Sequence, residues 1–125
     1  MSTQLHELVG LMVYLAAPYS DPVKAVVEYR MQGFCEVDAI LMERNVFTCS
    51  PLSKHFILQY RALPGDWAYW GGYSENMLKR CDSMIIITMP GWETSTGVAG
   101  EIEIAKRISI PIYLIGADGT NFRRM

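Results

Sequence analysis

The chain has 125 residues, half of them hydrophobic and 19% charged, with a net charge of −2. That is the composition of one globular domain, residues 1–125, long enough to bury a core. The slight negative charge leaves no basic footprint for duplex nucleic acid. The longest apolar run, residues 8–18, falls short of the roughly 20 residues that span a bilayer. It also lacks the basic start and cleavage site of a signal peptide. Cys35, Cys49 and Cys81 form no C-x-x-C pair, so they read as reduced thiols in a cytoplasmic protein and not as a disulfide frame or zinc site. Eight Met and three Trp read as core filling, with a share available for a homodimer face.

Residues 11–17 (L-M-V-Y-L-A-A) are a continuous apolar run, the mark of a buried parallel strand. Pro18-Tyr19-Ser20-Asp21-Pro22 stops it. Asp21 suits an N-cap and Pro22 a first helical position. Val26, Val27, Met31, Phe34, Val37, Ile40 and Leu41 recur at helical spacing and predict one amphipathic helix over 23–44. Residues 46–49 read as a short second strand closed by Ser50-Pro51. Residues 52–62 are ambiguous, with a short helix around His55 as one reading. A turn at 63–66 starts a helix over 67–80, bent or interrupted near Gly71-Gly72. Residues 84–89 are the third strand, 96–108 the next helix with Val98, Ile102 and Ala105 inward, and 110–115 the fourth strand. A polar tail follows.

Strands alternating with helices predict a parallel sheet covered on both faces, joined by right-handed crossovers. Such sheets bind ligands at the carboxyl ends of their strands. Here those ends, residues 16–20, 49–53 and 89–97, are rich in Ser, Thr, Gly, Pro or Tyr.

The third end carries the densest chemistry. Ser95-Thr96-Gly97 opens a helix, where free N–H groups, hydroxyls and the helix dipole favour a phosphate. A plain N-cap at Ser95 or Thr96 explains the same residues. Neither a G-x-x-x-x-G-K-[ST] loop nor a G-x-G-x-x-G fingerprint is present. Glu101 and Glu103 point to different sides of the helix, so only one can face the cleft. Glu101 follows small residues, Val98-Ala99-Gly100, that leave room for a ligand. Near a helix N-terminus it is expected ionised, as a nucleophile or base. A solvated surface Glu is the bland alternative.

Other side chains admit structural readings. Asp82 reads as a cap on the preceding helix or turn, and Asp66 as an N-cap. His55 has no partner at metal-ligand spacing. Trp67, Trp70 and Tyr73 read as core or dimer packing before a base-stacking wall. Tyr14 and Tyr19 border the first strand's end, where a phenol can donate to a ligand or pack in the core.

At these residues the chain resembles a known family. Y-L-A-A-P-Y-S, F-T-C-S-P-L-S-K-H, L-P-G-D-W-A-Y-W, R-C-D-S-M-I-I-I and P-G-W-E-T-S-T-G-V-A-G-E-I-E-I-A are similar to the nucleoside 2-deoxyribosyltransferase-like superfamily. The nearest likeness is to a small bacterial and phage branch related to the 2'-deoxynucleoside 5'-monophosphate N-hydrolases. It covers about residues 11–116, and the S-x-G-x-x-x-E spacing and the first strand are its specific parts. The resemblance implies a Rossmann-like three-layer α/β sandwich with a four- to five-stranded parallel sheet, in a homodimer or larger assembly. It implies cleavage of a base–sugar bond without metal or cofactor, with Glu101 attacking the anomeric carbon. Ser95 falls on the phosphate-binding position and Tyr14 on a ligand contact. The expected substrate-binding set is Tyr14, Ala17, Ser20, Ser74, Ser95, Thr96 and Gly97.

Two positions depart from the family pattern. Ser74 stands where an Asp orients sugar and nucleophile, with Glu75 or Asp66 as substitutes. Ser20 stands where the phosphate hydrolases carry an Arg, with Lys54 or Arg80 as other cations. A deoxyribosyltransferase and a noncatalytic nucleotide-binding or sequestering protein are the alternative functions.

Overall fold

The computed structural model describes residues 4–125. A 3-10 turn, Leu5–Leu8, leads into β1 (Met12–Ala16) and then α1 (Lys24–Glu43). β2 (Phe47–Cys49) is followed by a 3-10 turn, Pro51–Lys54, and by α2 (His55–Tyr60). Then come α3 (Trp67–Leu78), β3 (Ser83–Ile87), a 3-10 turn at Trp92–Thr94, α4 (Thr96–Arg107), β4 (Ile112–Ile115) and β5 (Arg123–Arg124). The ambiguous stretch after β2 thus divides into two short helical pieces. α3 runs through Gly71-Gly72 without interruption.

The five strands lie in the order β2-β1-β3-β4-β5. All pairs are parallel except β4 with β5. The predicted α/β sandwich with helices on both faces is present. The polar tail adds the antiparallel strand β5, with Arg124 over the Tyr113 ring. Both edge strands are very short, one of the ways edge pairing with other chains is limited.

The period-two alternation of strands sorts the core into two layers. Val13, Leu15, Ile85, Ile87 and Ile115 face Met31, Phe34, Val37 and Leu41 of α1. Tyr14, Ala16, Met84, Ile86, Ile112 and Leu114 face Leu78 of α3 and Val98, Ile104 and Ala105 of α4. Each buried aliphatic side chain contributes about 1.5–3 kcal/mol, well above differences in local propensity. That is why residues 13–16 of β1 and 84–87 of β3, covered on both sides, read as unbroken apolar runs.

Two capping expectations are corrected. α1 begins at Lys24 with Val23 at the N-cap. Asp21 accepts from Val23 N at 2.8 Å, closing a local turn ahead of the helix. Asp82 does not cap the preceding helix. Its carboxylate accepts from Met12 N at 2.9 Å and its N–H donates to Met12 O at 2.8 Å, so it fastens the start of β3 to β1. Asp66 does stand at the N-cap of α3, without a side-chain capping bond. Among the described residues no helix is long and apolar enough to cross a membrane.

Candidate functional site

The strand order reverses between β1 and β3, and an open α/β sheet forms its crevice at such a point. A cavity of about 780 Å³ opens there. The loop after β1 supplies Ala17, Tyr19, Ser20 and Asp21. Pro51, Leu52 and His55 follow β2, and Asp66, Trp67, Trp70 and Ser74 come from the N-cap and body of α3. Gly91 and Thr94 follow β3, and Ser95, Thr96, Gly97 and Glu101 open α4.

Every expected site residue except Tyr14 lines this cavity. Tyr14 is fully buried one step behind it and touches it through Glu101. Its phenol donates to Glu101 Oε2. Tyr14 Oη also lies 2.9 Å from Ser74 Oγ, and Ser74 Oγ lies 3.5 Å from Glu101 Oε2. The phenol has one proton, and the carboxylate is the stronger acceptor. The Ser74 hydroxyl is therefore free to donate to the phenol oxygen or to the carboxylate. Burial holds the Tyr14 phenol far above its ordinary range, with the charge of Glu101 adding to the effect. It stays protonated and serves as a fixed donor.

Glu101 is 8% exposed, and burial pushes its carboxyl up to about 7, against the opposing hydrogen bonds from Tyr14 and Ser74. The expectation of an ionised Glu101 at pH 7 is thus corrected to a carboxyl near its midpoint there. Glu101 lies in the second turn of α4, beyond the first turn where the helix dipole acts strongly, and desolvation outweighs it. Glu103 is exposed, as its position beside Lys106 and Arg107 implied.

At the mouth of α4, the N-cap reading of Ser95 holds. Its Oγ accepts from Val98 N at 3.2 Å, and the same residue faces the cavity. Its hydroxyl proton remains available to a ligand. The room left by small residues has a different use from the one expected. A Cβ on Gly100 would overlap the Trp67 ring, so Gly100 seats the indole against α4 and not a ligand. Trp67 packs against the inner core layer and also faces the cavity, as does Trp70. The core reading is met by Trp67.

The two carboxylates that the resemblance offered in place of an Asp at Ser74 separate cleanly. Glu75 is engaged by Arg107 and by Lys79 Nζ at 3.7 Å, tying α3 to α4, and does not line the cavity. The Arg107 guanidinium holds its carboxyl below the usual range. Asp66 lines the cavity. Of the cations, Lys54 and Arg80 stand outside the lining, and Arg80 donates to Asn76 O at 2.8 Å.

Arg30 was missed by sequence reasoning. It reaches from α1 to the cavity and donates to Ser20 O at 2.9 Å and Tyr19 O at 3.4 Å. Its guanidinium also fills the space where a Cβ on Gly91 would sit, and Gly91 takes φ +96. A charged residue on the half-buried side of α1, among apolar neighbours, was the available signal. His55 is buried and its Nδ1 lies 2.6 Å from Tyr19 Oη at the cavity wall. Its Nε2 lies 3.2 Å from Gln59 Nε2. Among the described residues no three His, Cys, Asp or Glu side chains converge to hold a metal.

The arrangement offers a buried carboxyl with a dedicated donor, an arginine and a helix N-terminus around one crevice. These parts suit an electrophilic carbon near an anionic group. No curated protein matches the chain. A family model matches residues 11–117, nearly the whole chain, and the protein therefore belongs to the family described as Domain of unknown function (DUF1937).

Proposed function

We propose that this chain is an N-glycosidase that cleaves the base–sugar bond of (deoxy)nucleoside 5'-monophosphates. The carrying observation is Glu101, buried against Tyr14 and Ser74 at the inner end of a crevice that Arg30 and the start of α4 also face. The resemblance to nucleoside 2-deoxyribosyltransferase-like enzymes supports the same assignment. In its ionised form Glu101 attacks the anomeric carbon and the C–N bond breaks. The bonding pair leaves with the base, giving a glycosyl ester on Glu101. Water then attacks the same carbon, its proton restores the donor that protonated the base, and the carboxylate is freed, the two-step route of retaining glycosidases. Tyr14 orients the carboxylate and stabilises its charge as it is released. The departing base needs a proton or hydrogen bond, and the Tyr19–His55 pair supplies a donor at the cavity wall. Arg30 and the Ser95–Gly97 backbone bind the 5'-phosphate, Arg30 taking the place of the cation that Ser20 lacks.

Trp67 and Trp70 offer flat surfaces to the base. Exposed Phe56, Ile57 and Tyr60 of α2, with Tyr69 and Tyr73 of α3, suit a homodimer contact beside the crevice. Sedimentation of the purified chain tests that assembly.

The partly protonated Glu101 and the neutral Ser74 favour a second reading, a noncatalytic nucleotide-binding or sequestering protein. Incubation with a panel of ribo- and deoxyribonucleoside monophosphates and nucleosides, followed by chromatography for free base, separates the two. Base release by the wild type and none by Glu101→Ala is the expected result. Transfer of the sugar to an added base would assign a deoxyribosyltransferase. Thermal shifts without base release would assign the binding protein.

A further inference from the structure

Cys49 and Cys81 lie far apart in sequence but together in space. Cys49 is the last residue of β2, and Cys81 stands in the turn between α3 and β3. Their Sγ atoms are 3.2 Å apart. Cys49 is half-buried, Cys81 is buried, and the third cysteine, Cys35, is exposed on α1. The pair lies against the strand that carries Tyr14, because Cys49 is the register partner of Tyr14 on β1.

We propose that Cys49 and Cys81 form a reversible intrachain disulfide, a redox modification site one strand away from the crevice. A disulfide needs sulfurs at about 2.05 Å, so closure asks each side to move by about half an ångström. Small rotations of two side chains in a half-buried position can supply that. The two ends are otherwise held. Asp82 anchors the segment after Cys81 to Met12 of β1, and β1 pairs with β2 at Cys49. The thiols are therefore kept in register by the sheet itself.

The chemistry requires a two-electron oxidant, here glutathione disulfide. The Cys49 thiolate attacks one glutathione sulfur and expels glutathione thiolate, giving a mixed disulfide. The Cys81 sulfur then attacks the Cys49 sulfur and expels the second glutathione, which takes the Cys81 proton. Two protein thiols are oxidised to one disulfide, and one glutathione disulfide is reduced to two glutathiones. The order follows from the environment. Cys49 is the more accessible thiol, and the hydrogen bond with Cys81 holds it below its ordinary range. Cys81 is pushed up by that same contact and by burial. The thiolate is the attacking form.

The oxidised pair would tie the end of β2 to the turn ahead of β3. That end leads directly into Pro51 and Leu52 of the cavity wall. The modification is independent of the chemistry proposed for the crevice.

The native protein is equilibrated in glutathione buffers of rising disulfide-to-thiol ratio, quenched in acid, alkylated and weighed by mass spectrometry. Cys49 and Cys81 should become protected together with the loss of two hydrogens and no added glutathione, while the exposed Cys35 stays free or carries one glutathione. Peptide mapping should show a Cys49–Cys81 link within one chain, and dithiothreitol should restore all three thiols. Cys81→Ser should stop at a glutathione adduct on Cys49, and Cys49→Ser should leave Cys81 unmodified. Three free thiols at every ratio, a link that includes Cys35 or joins two chains, or a stable Cys49 adduct in the wild type would each overturn the proposal. An adduct on Cys81 in Cys49→Ser would overturn the order of attack. The wild-type map reads out the link even if a variant folds poorly.

Discussion

The phenol of Tyr14, at the centre of β1, donates to the carboxyl of Glu101 in the second turn of α4, across 87 positions of sequence. Both groups are buried, and the phenol cannot lose its proton near neutral pH. The carboxyl therefore has a permanent donor on one oxygen while burial pulls it toward its neutral form. Replacing that donor tests how much of the ionised form it maintains. Tyr14→Phe is expected to raise the Glu101 carboxyl above about 7 and to move the acid limb of base release to higher pH. A hydrogen bond to a charged group is worth about 1.5–3 kcal/mol, so the neutral-pH rate should fall about 10- to 100-fold. A pH–rate profile of the variant checks this; an unshifted limb would remove Tyr14 from the role assigned.

Stability should carry the same signature with a definite sign. Glu101 is raised from 4.5 in the ordinary state to about 7 in the fold, so the folded chain binds more protons between those values. Its contribution is most favourable below the ordinary carboxyl range and is lost as pH rises through about 7. Glu101→Gln is neutral throughout and should escape that loss. Relative to wild type it should gain up to about 3 kcal/mol at pH 8 and little at pH 5. Urea unfolding at the two pH values decides it, and an equal difference at both would contradict the burial-driven shift.

Arg30 should distinguish phosphorylated from unphosphorylated ligands. It sits at the crevice with hydrogen bonds to the Tyr19 and Ser20 carbonyls. Arg30→Ala is expected to raise KM for a nucleoside monophosphate about 10- to 100-fold, the loss of a charge-assisted contact. The corresponding nucleoside should change little. Equal losses for both would mean that Arg30 only shapes the loop.

Gly100 is under opposing demands. In a helix interior Gly→Ala normally gains about 1 kcal/mol. Here the added methyl would overlap the Trp67 indole, and such overpacking costs about 1–3 kcal/mol. Gly100→Ala should therefore destabilise the chain, and displacement of Trp67 should change its fluorescence. A variant more stable than wild type would show that the ring yields freely.

Much of this protein is written in local pattern. Apolar runs marked β1, β3 and β4, because strands covered on both faces bury nearly every side chain, Met12 at the start of β1 being the exposed one. Helical spacing marked α1 and α4 and separated Glu101 from Glu103. The Ser95 cap was legible because an N-cap is a contact within a few residues. Where these elements meet was not legible, since crossovers and sheet order bring distant residues together. Tertiary packing buried Glu101 and so decided its protonation, where position in the helix pointed to a plain carboxylate. It seated Trp67 on Gly100, turned Glu75 toward Arg107 and away from the crevice, and brought Arg30 to the crevice beside Ser20. It also set Cys49 against Cys81. Periodicity tells each residue which face it occupies; only the completed sheet decides which neighbour waits there.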